Sequence, residues 1–143
     1  MGYRSDVAIA IYGEEGQMTA FIAASRLKQN FAKIFEECEI YPYNSHPYGD
    51  VPSTPHLMLL AQFNDVKWYD GYSDVDCWNK FAALAQEHDA FINTEFVRAG
   101  EETDDNVHEQ TGPNVEWHLG ISREVYTDLP KRQEEANAAT AAA

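Results

Sequence analysis

The stretch Val7-Ala-Ile-Ala-Ile-Tyr12, followed at once by Gly13, decides how the chain reads. It is short, apolar at every position and rich in β-branched residues. Such a run is a strand buried on both faces, and therefore a central one. The remainder of the chain must supply its neighbours and its cover.

Downstream, Met18, Phe21 and Ile22, then Phe31, Ile34, Phe35 and Cys38, recur at helical spacing. They predict an amphipathic helix over 17–35. Residues 40–56 hold four prolines and three tyrosines, which predicts an extended loop with one short strand at 38–42. Leu57–Phe63 is a second apolar strand. Asn64-Asp65 can form a two-residue turn, and Val66–Tyr69 alternates as a return strand.

Ser73 opens a second helix, running to about residue 88. Ser73-x-x-Asp76 has the form of a capping box, and Cys77, Trp78, Phe81, Leu84, Ala85 and His88 make one stripe. Phe91–Val97 reads as a strand, 99–114 as an acidic loop, and Val115–Ile121 as an alternating half-buried strand. The expected fold is α+β: a mainly antiparallel sheet with two helices on one face. Its nearest named arrangement is a ferredoxin-like plait with an extra strand. Residues 1–129 form one domain, and 130–143 read as a disordered Ala-rich tail lacking large apolar residues.

Charge narrows the partners. The 143-residue chain carries a net −14, and residues 35–143 hold six basic against 21 acidic side chains. Clustered Lys and Arg for phosphate binding are missing, so no direct nucleic-acid contact is expected. A partner with a basic surface is favoured. The chain has no apolar run long enough to span a membrane. Its N-terminus lacks the features of a signal peptide, and Cys38 and Cys77 read as reduced core thiols, so a cytoplasmic setting is expected.

Five carboxylates, Glu101, Glu102, Asp104, Asp105 and Glu109, fall in the nine residues of EETDDNVHE, with Arg98 before them and His108 among them. Together with Asp70, Asp74 and Asp76 they match no calcium-loop template, and Asp74 and Asp76 also suit a helix first turn. The five histidines, at 46, 56, 88, 108 and 118, show no zinc-ligand spacing. His56 and His118 lack the Ser or Thr two residues on that two-histidine phosphoesterases require, since Met58 and Gly120 stand there. No nucleophile elbow, P-loop or dinucleotide fingerprint is present. No catalytic residue, metal or cofactor is expected. The acidic stretch is either a solvated loop or an interaction surface.

The segments MGYRSDV, VKWYDGYSDVD, RAGEETDD and the later Ser122-Arg123 resemble a family of small bacteriophage proteins. That family has an MGYRSDV-type N-terminus and a later RxGExxDD segment. The matching positions are Gly2 to Val7, Lys67 to Tyr69, Tyr72, Asp74, Val75, Arg98, Gly100, Glu101, Asp104, Asp105, Ser122 and Arg123. The resemblance implies a phage accessory protein acting in the host cytoplasm and carries no activity with it.

The expected function is inhibition of a host nucleic-acid-binding or defence protein, such as a CRISPR effector complex, through the acidic surface. The partner-binding residues would be Asp70, Asp74, Asp76, Glu101, Glu102, Asp104, Asp105 and Glu109. Asp6, Arg98, Arg123 and His108 form either a structural network or a site for a nucleotide or other phosphorylated ligand. A third reading is a homo-oligomeric assembly module, with Tyr41, Tyr43, Tyr48 and Trp68 at the interface.

Overall fold

The computed structural model describes residues 4–45, 49–50, 52–69, 71–102, 104–113 and 118–121. Among the described residues, five antiparallel strands form one sheet. They are β1 (Ser5–Glu14), β2 (Glu39–Asn44), β3 (Pro55–Val66), β4 (Asn93–Gly100) and β5 (Asn106–Thr111), in the order β2-β3-β1-β4-β5. The described α-helices that accompany it are α1 (Glu15–Arg26), α2 (Ala32–Glu37) and α3 (Ser73–His88). The protein is therefore α+β. VAIAIY lies in the middle strand as expected, paired on one side with β3 and on the other with β4.

Its side chains alternate between two cores. Val7, Ile9 and Ile11 face the helices and pack with Met18, Phe21, Ile22, Phe31, Ile34, Trp78, Phe81 and Ala85. Phe81 stacks on Phe21 and Phe31, with ring centroids 5.1 and 5.2 Å away, and so ties α3 to α1 and to the connection between α1 and α2. Ala10 and Tyr12 face the other way, where Met58, Tyr43, Leu60 and Leu119 cover them.

The single helix over 17–35 is in fact two, interrupted at Leu27-Lys28 and by a 3₁₀ turn at Gln29–Phe31. A straight helix advances about 100° per residue, so Phe31 would point opposite Ile22. The extended backbone at Lys28 (φ −98°, ψ 119°) rotates Phe31 and Ile34 back onto the core and leaves Leu27 in solvent.

The Asn64-Asp65 hairpin does not form either. β3 continues through both residues to Val66, and Lys67–Tyr69 is not in a strand. The turn-forming residues make a bulge instead: three steps on β3, Phe63 to Val66, oppose two on β1, Val7 to Ser5. Asp65 takes φ 54°, which Asp tolerates better than most residues. Its N–H is held by Asp6 Oδ1 at 2.9 Å, and its carbonyl by the Arg4 guanidinium at 2.8 Å.

Ser73 is the first helical residue of α3, but the capping box is not made. Tyr72 occupies the cap without a side-chain bond, and Asp76 reaches back to the Gly71 N–H at 3.3 Å. His88, the last residue of the expected stripe, is exposed on the last turn with its ring beside Phe21. The acidic segment 99–114 is not simply a loop, because Asn106–Thr111 within it pairs with β4 as an outer strand. Of the strand expected at 115–121, residues 118–121 are not in a strand, and 115–117 lie outside the described residues, as does the tail 130–143.

Candidate functional site

The register of β4 places its residues. Arg98, Phe96 and Thr94 stand opposite Val7, Ile9 and Ile11, and so face the helices. Across β5, Val107 and Glu109 share that side, since they pair with Arg98 and Phe96. Glu95 and Val97 face the opposite side, with Gln110 and His108 as their partners on β5. A hairpin of alternating residues thus sorts the acidic stretch onto two faces and a connecting turn.

The turn is Glu101 to Asp105. It is closed by the Gly100 N–H on the Asp105 carbonyl at 2.8 Å and the Asp105 N–H on the Glu102 carbonyl at 3.1 Å. Arg98 spans it from the helix side. Its two terminal nitrogens donate to the two Asp105 oxygens at 2.9 and 3.1 Å, and one also reaches Ser5 Oγ at 3.3 Å. Glu101 accepts the Arg4 N–H at 2.7 Å. Glu101, Glu102, Asp104 and Glu109 are all exposed.

The residues proposed from sequence are therefore only partly brought together. Arg98 and Asp105 form a fork-to-fork ion pair. Asp6 stays with the Asp65 bulge, and His108 lies on the face opposite Arg98. Asp74 and Asp76 sit on the first turn of α3, where Asp74 holds Lys33 at 2.9 Å, so they belong to a different element from the hairpin. The Asp74 carboxylate raises the pKa of Lys33 by hydrogen bonding and charge. Asp70, Arg123 and Tyr48 lie outside the described residues. Tyr41 is exposed on β2, Tyr43 lies between His56 and His118, and Trp68 is half-buried against Phe63.

Two features escaped the sequence reading. The first is Glu95, whose side chain is 0% exposed. Its oxygens accept the N–H groups of His118 at 3.0 Å and Leu119 at 3.3 Å, and one lies 3.9 Å from His108 Nε2. A carboxylate at a fully buried position of β4 needs dedicated partners, and this one has them. The second is a cleft of about 830 Å³ on the helix side, between α3 and the β4–β5 hairpin. Phe96 and Trp68, with ring centroids 6.0 Å apart, lie along it, with Val107, Glu109 and the Arg98–Asp105 pair on the strand side. Its volume is in the range of small-ligand sites.

Cys38 and Cys77 are free, and burial raises the pKa of both thiols, so neither is an activated nucleophile. Among the described residues, no group of three or more His, Cys, Asp and Glu is placed to hold a metal ion. No helix among them is long and apolar enough to cross a membrane.

The chain matches no protein-family model and no curated protein. Among solved structures it is similar to a de novo designed protein, Foldit4, at 11% identity and a TM-score of 0.40, covering 69% of this chain and 99% of that one. It is also similar to a phage SAM lyase in the apo state, at 8% identity and a TM-score of 0.43, covering 83% of this chain and 95% of that one. Likenesses this low carry no conclusion about activity.

Proposed function

We propose that the protein is a phage accessory protein that binds the basic surface of a host nucleic-acid-binding or defence protein through its β4–β5 hairpin, and thereby blocks that surface. The observation that supports this reading is the arrangement of charge at the hairpin. Glu101, Glu102, Asp104 and Glu109 are exposed on one outer hairpin, while the Arg98 guanidinium is taken up by Asp105 and that of Arg4 by the Asp65 carbonyl. The hairpin therefore presents four exposed carboxylates, three in its turn and Glu109 on β5, while its Arg98 is already paired. Such a surface presents spaced negative charge to a partner that itself binds phosphates.

The experiment is a parallel capture from host lysate with the wild-type chain and with a Glu101→Gln, Glu102→Gln, Asp104→Asn variant, followed by association kinetics on the protein retained only by wild type. The reading expects the variant to slow association more than it speeds dissociation. It also expects the rate to fall as salt shortens the reach of exposed charge to about 8 Å. Binding indifferent to salt and to the three substitutions would reject it.

A further inference from the structure

The cleft between α3 and the hairpin opens beside the acidic surface, but its chemistry differs from that of the turn. Its strand side combines the Phe96 ring, the apolar Val107 and the carboxylate of Glu109, which stands directly across from Phe96 in the β4–β5 register. Trp68 lies over Phe96 with the ring planes 32° apart. At one end Arg98, the only cation among the described residues that line the cleft, is bound through both terminal nitrogens to Asp105. Among the described residues Glu109 has no hydrogen-bond or ion-pair partner. The cleft therefore offers aromatic faces and one uncompensated negative charge, and its own positive charge is already spent.

An anion gains nothing there. A neutral apolar ligand would leave Glu109 desolvated without a partner, which is unfavourable. An organic cation with a flat apolar body satisfies both walls at once, because its charge is attracted to ring faces and to the carboxylate together. Arginine fits better than lysine. Its guanidinium is planar, weakly hydrated and able to stack on a ring while donating two parallel hydrogen bonds to a carboxylate. The chain already uses the stacking half of this contact, since the Arg26 guanidinium lies 4.6 Å from the centroid of Phe35.

We propose that this cleft receives an arginine side chain of the basic partner, stacked on Trp68 and Phe96 and paired with Glu109. The inference rests on the hairpin reading for the source of the arginine, but the site itself can be tested without the partner. The bound arginine would act as a central anchor, with the exposed acidic turn as its charged rim.

The test uses the full chain, isotope-labelled, titrated with N-acetyl-arginine amide and with N-acetyl-citrulline amide at physiological ionic strength. Citrulline keeps the shape and loses the charge. The proposal expects a saturable shift of the Trp68 indole N–H with the arginine probe and none with citrulline. It expects Glu109→Gln to weaken the arginine probe by about tenfold, with an unchanged melting profile because Glu109 is exposed. Glu101→Gln, Glu102→Gln, Asp104→Asn should leave the probe's affinity within about twofold, since exposed charges of the rim add little. Equal binding of citrulline overturns the proposal, and so does full affinity in Glu109→Gln. Probe binding lost in the triple variant but kept in Glu109→Gln would also overturn it, moving the cation out to the turn. A partner association insensitive to salt, beside an intact probe response, would instead sink the hairpin reading and leave the cleft standing.

Discussion

The buried carboxylate of Glu95 holds the backbone of His118, 23 residues away in sequence, by accepting its N–H at 3.0 Å, and takes the Leu119 N–H at 3.3 Å. This pins Leu119 over Ala10, Tyr12 and Met58, where it helps close the second core. The His118 ring then meets Tyr12 edge-on, with centroids 4.6 Å apart. One acidic side chain thus organises the cover of the sheet face that carries none of the described helices.

Glu95→Gln should destabilise the protein by about 1–3 kcal/mol, because the two acceptor oxygens that serve two backbone donors are reduced to one. Amide exchange at His118 and Leu119 should accelerate more than exchange in β1. Unchanged protection at both amides would remove the clamp from this account.

Arg98 and Asp105 are partly shielded, with side chains 20% and 33% exposed. A double-mutant cycle of Arg98→Ala and Asp105→Ala should return a coupling of about 1 kcal/mol, above the usual surface pair and below a fully desolvated one. The single Arg98→Ala variant should also loosen the turn, seen as faster exchange of the Gly100 and Asp105 amides. A coupling near zero would mean the fork contributes geometry without measurable stability.

Gly112 follows β5 at φ 121°, and a Cβ there would lie 2.8 Å from the Asn93 Cα and 2.3 Å from its side-chain oxygen. Gly112→Ala should therefore cost about 1–3 kcal/mol or more, through backbone strain joined to a backbone clash. Gly16→Ala meets nothing within 4 Å and sits inside α1, so it should be neutral or stabilising, by up to about 1 kcal/mol. Denaturant unfolding of the two variants compares them directly.

Trp78 is 2% exposed and touches both Phe63 and Phe81. Trp78→Ala should cost about 3–5 kcal/mol, as a large cavity opens beneath α3. A variant that unfolds at the wild-type denaturant concentration would contradict the core as described.

Burial raises the pKa of Cys38 and Cys77. The fold therefore disfavours their thiolates, whereas an unfolded chain ionises them in the ordinary thiol range. Stability should be unaffected by these groups below that range and should decline as pH rises through it. Native-state alkylation at neutral pH should be slower than alkylation of the unfolded chain, and fast native labelling would refute the assignment.

The central strand, the second helix and the α+β class were legible because each depends on local periodicity. VAIAIY is apolar at every position, and Trp78, Phe81 and Ala85 recur on one face whatever surrounds them. The net negative charge was equally plain. What the local pattern could not supply was the partner of each residue. Asn64-Asp65 has turn chemistry, yet Asp6 and Arg4, distant in sequence, turn it into a bulge within one long strand. Phe31 and Ile34 suit a continuing helix, yet the shared Phe81 surface demands the break before them. The acidic segment looks like a loop until Asn106–Thr111 finds the open edge of β4. Pairing along that edge places Glu109 beside Phe96, turns His108 away from Arg98, and leaves the cleft between α3 and the hairpin. Sequence determined which residues prefer strand, helix or water, because those preferences are properties of a few neighbours. The tertiary structure alone decided which charges meet, because ion pairs, bulges and clefts are set by contacts between segments far apart in the chain.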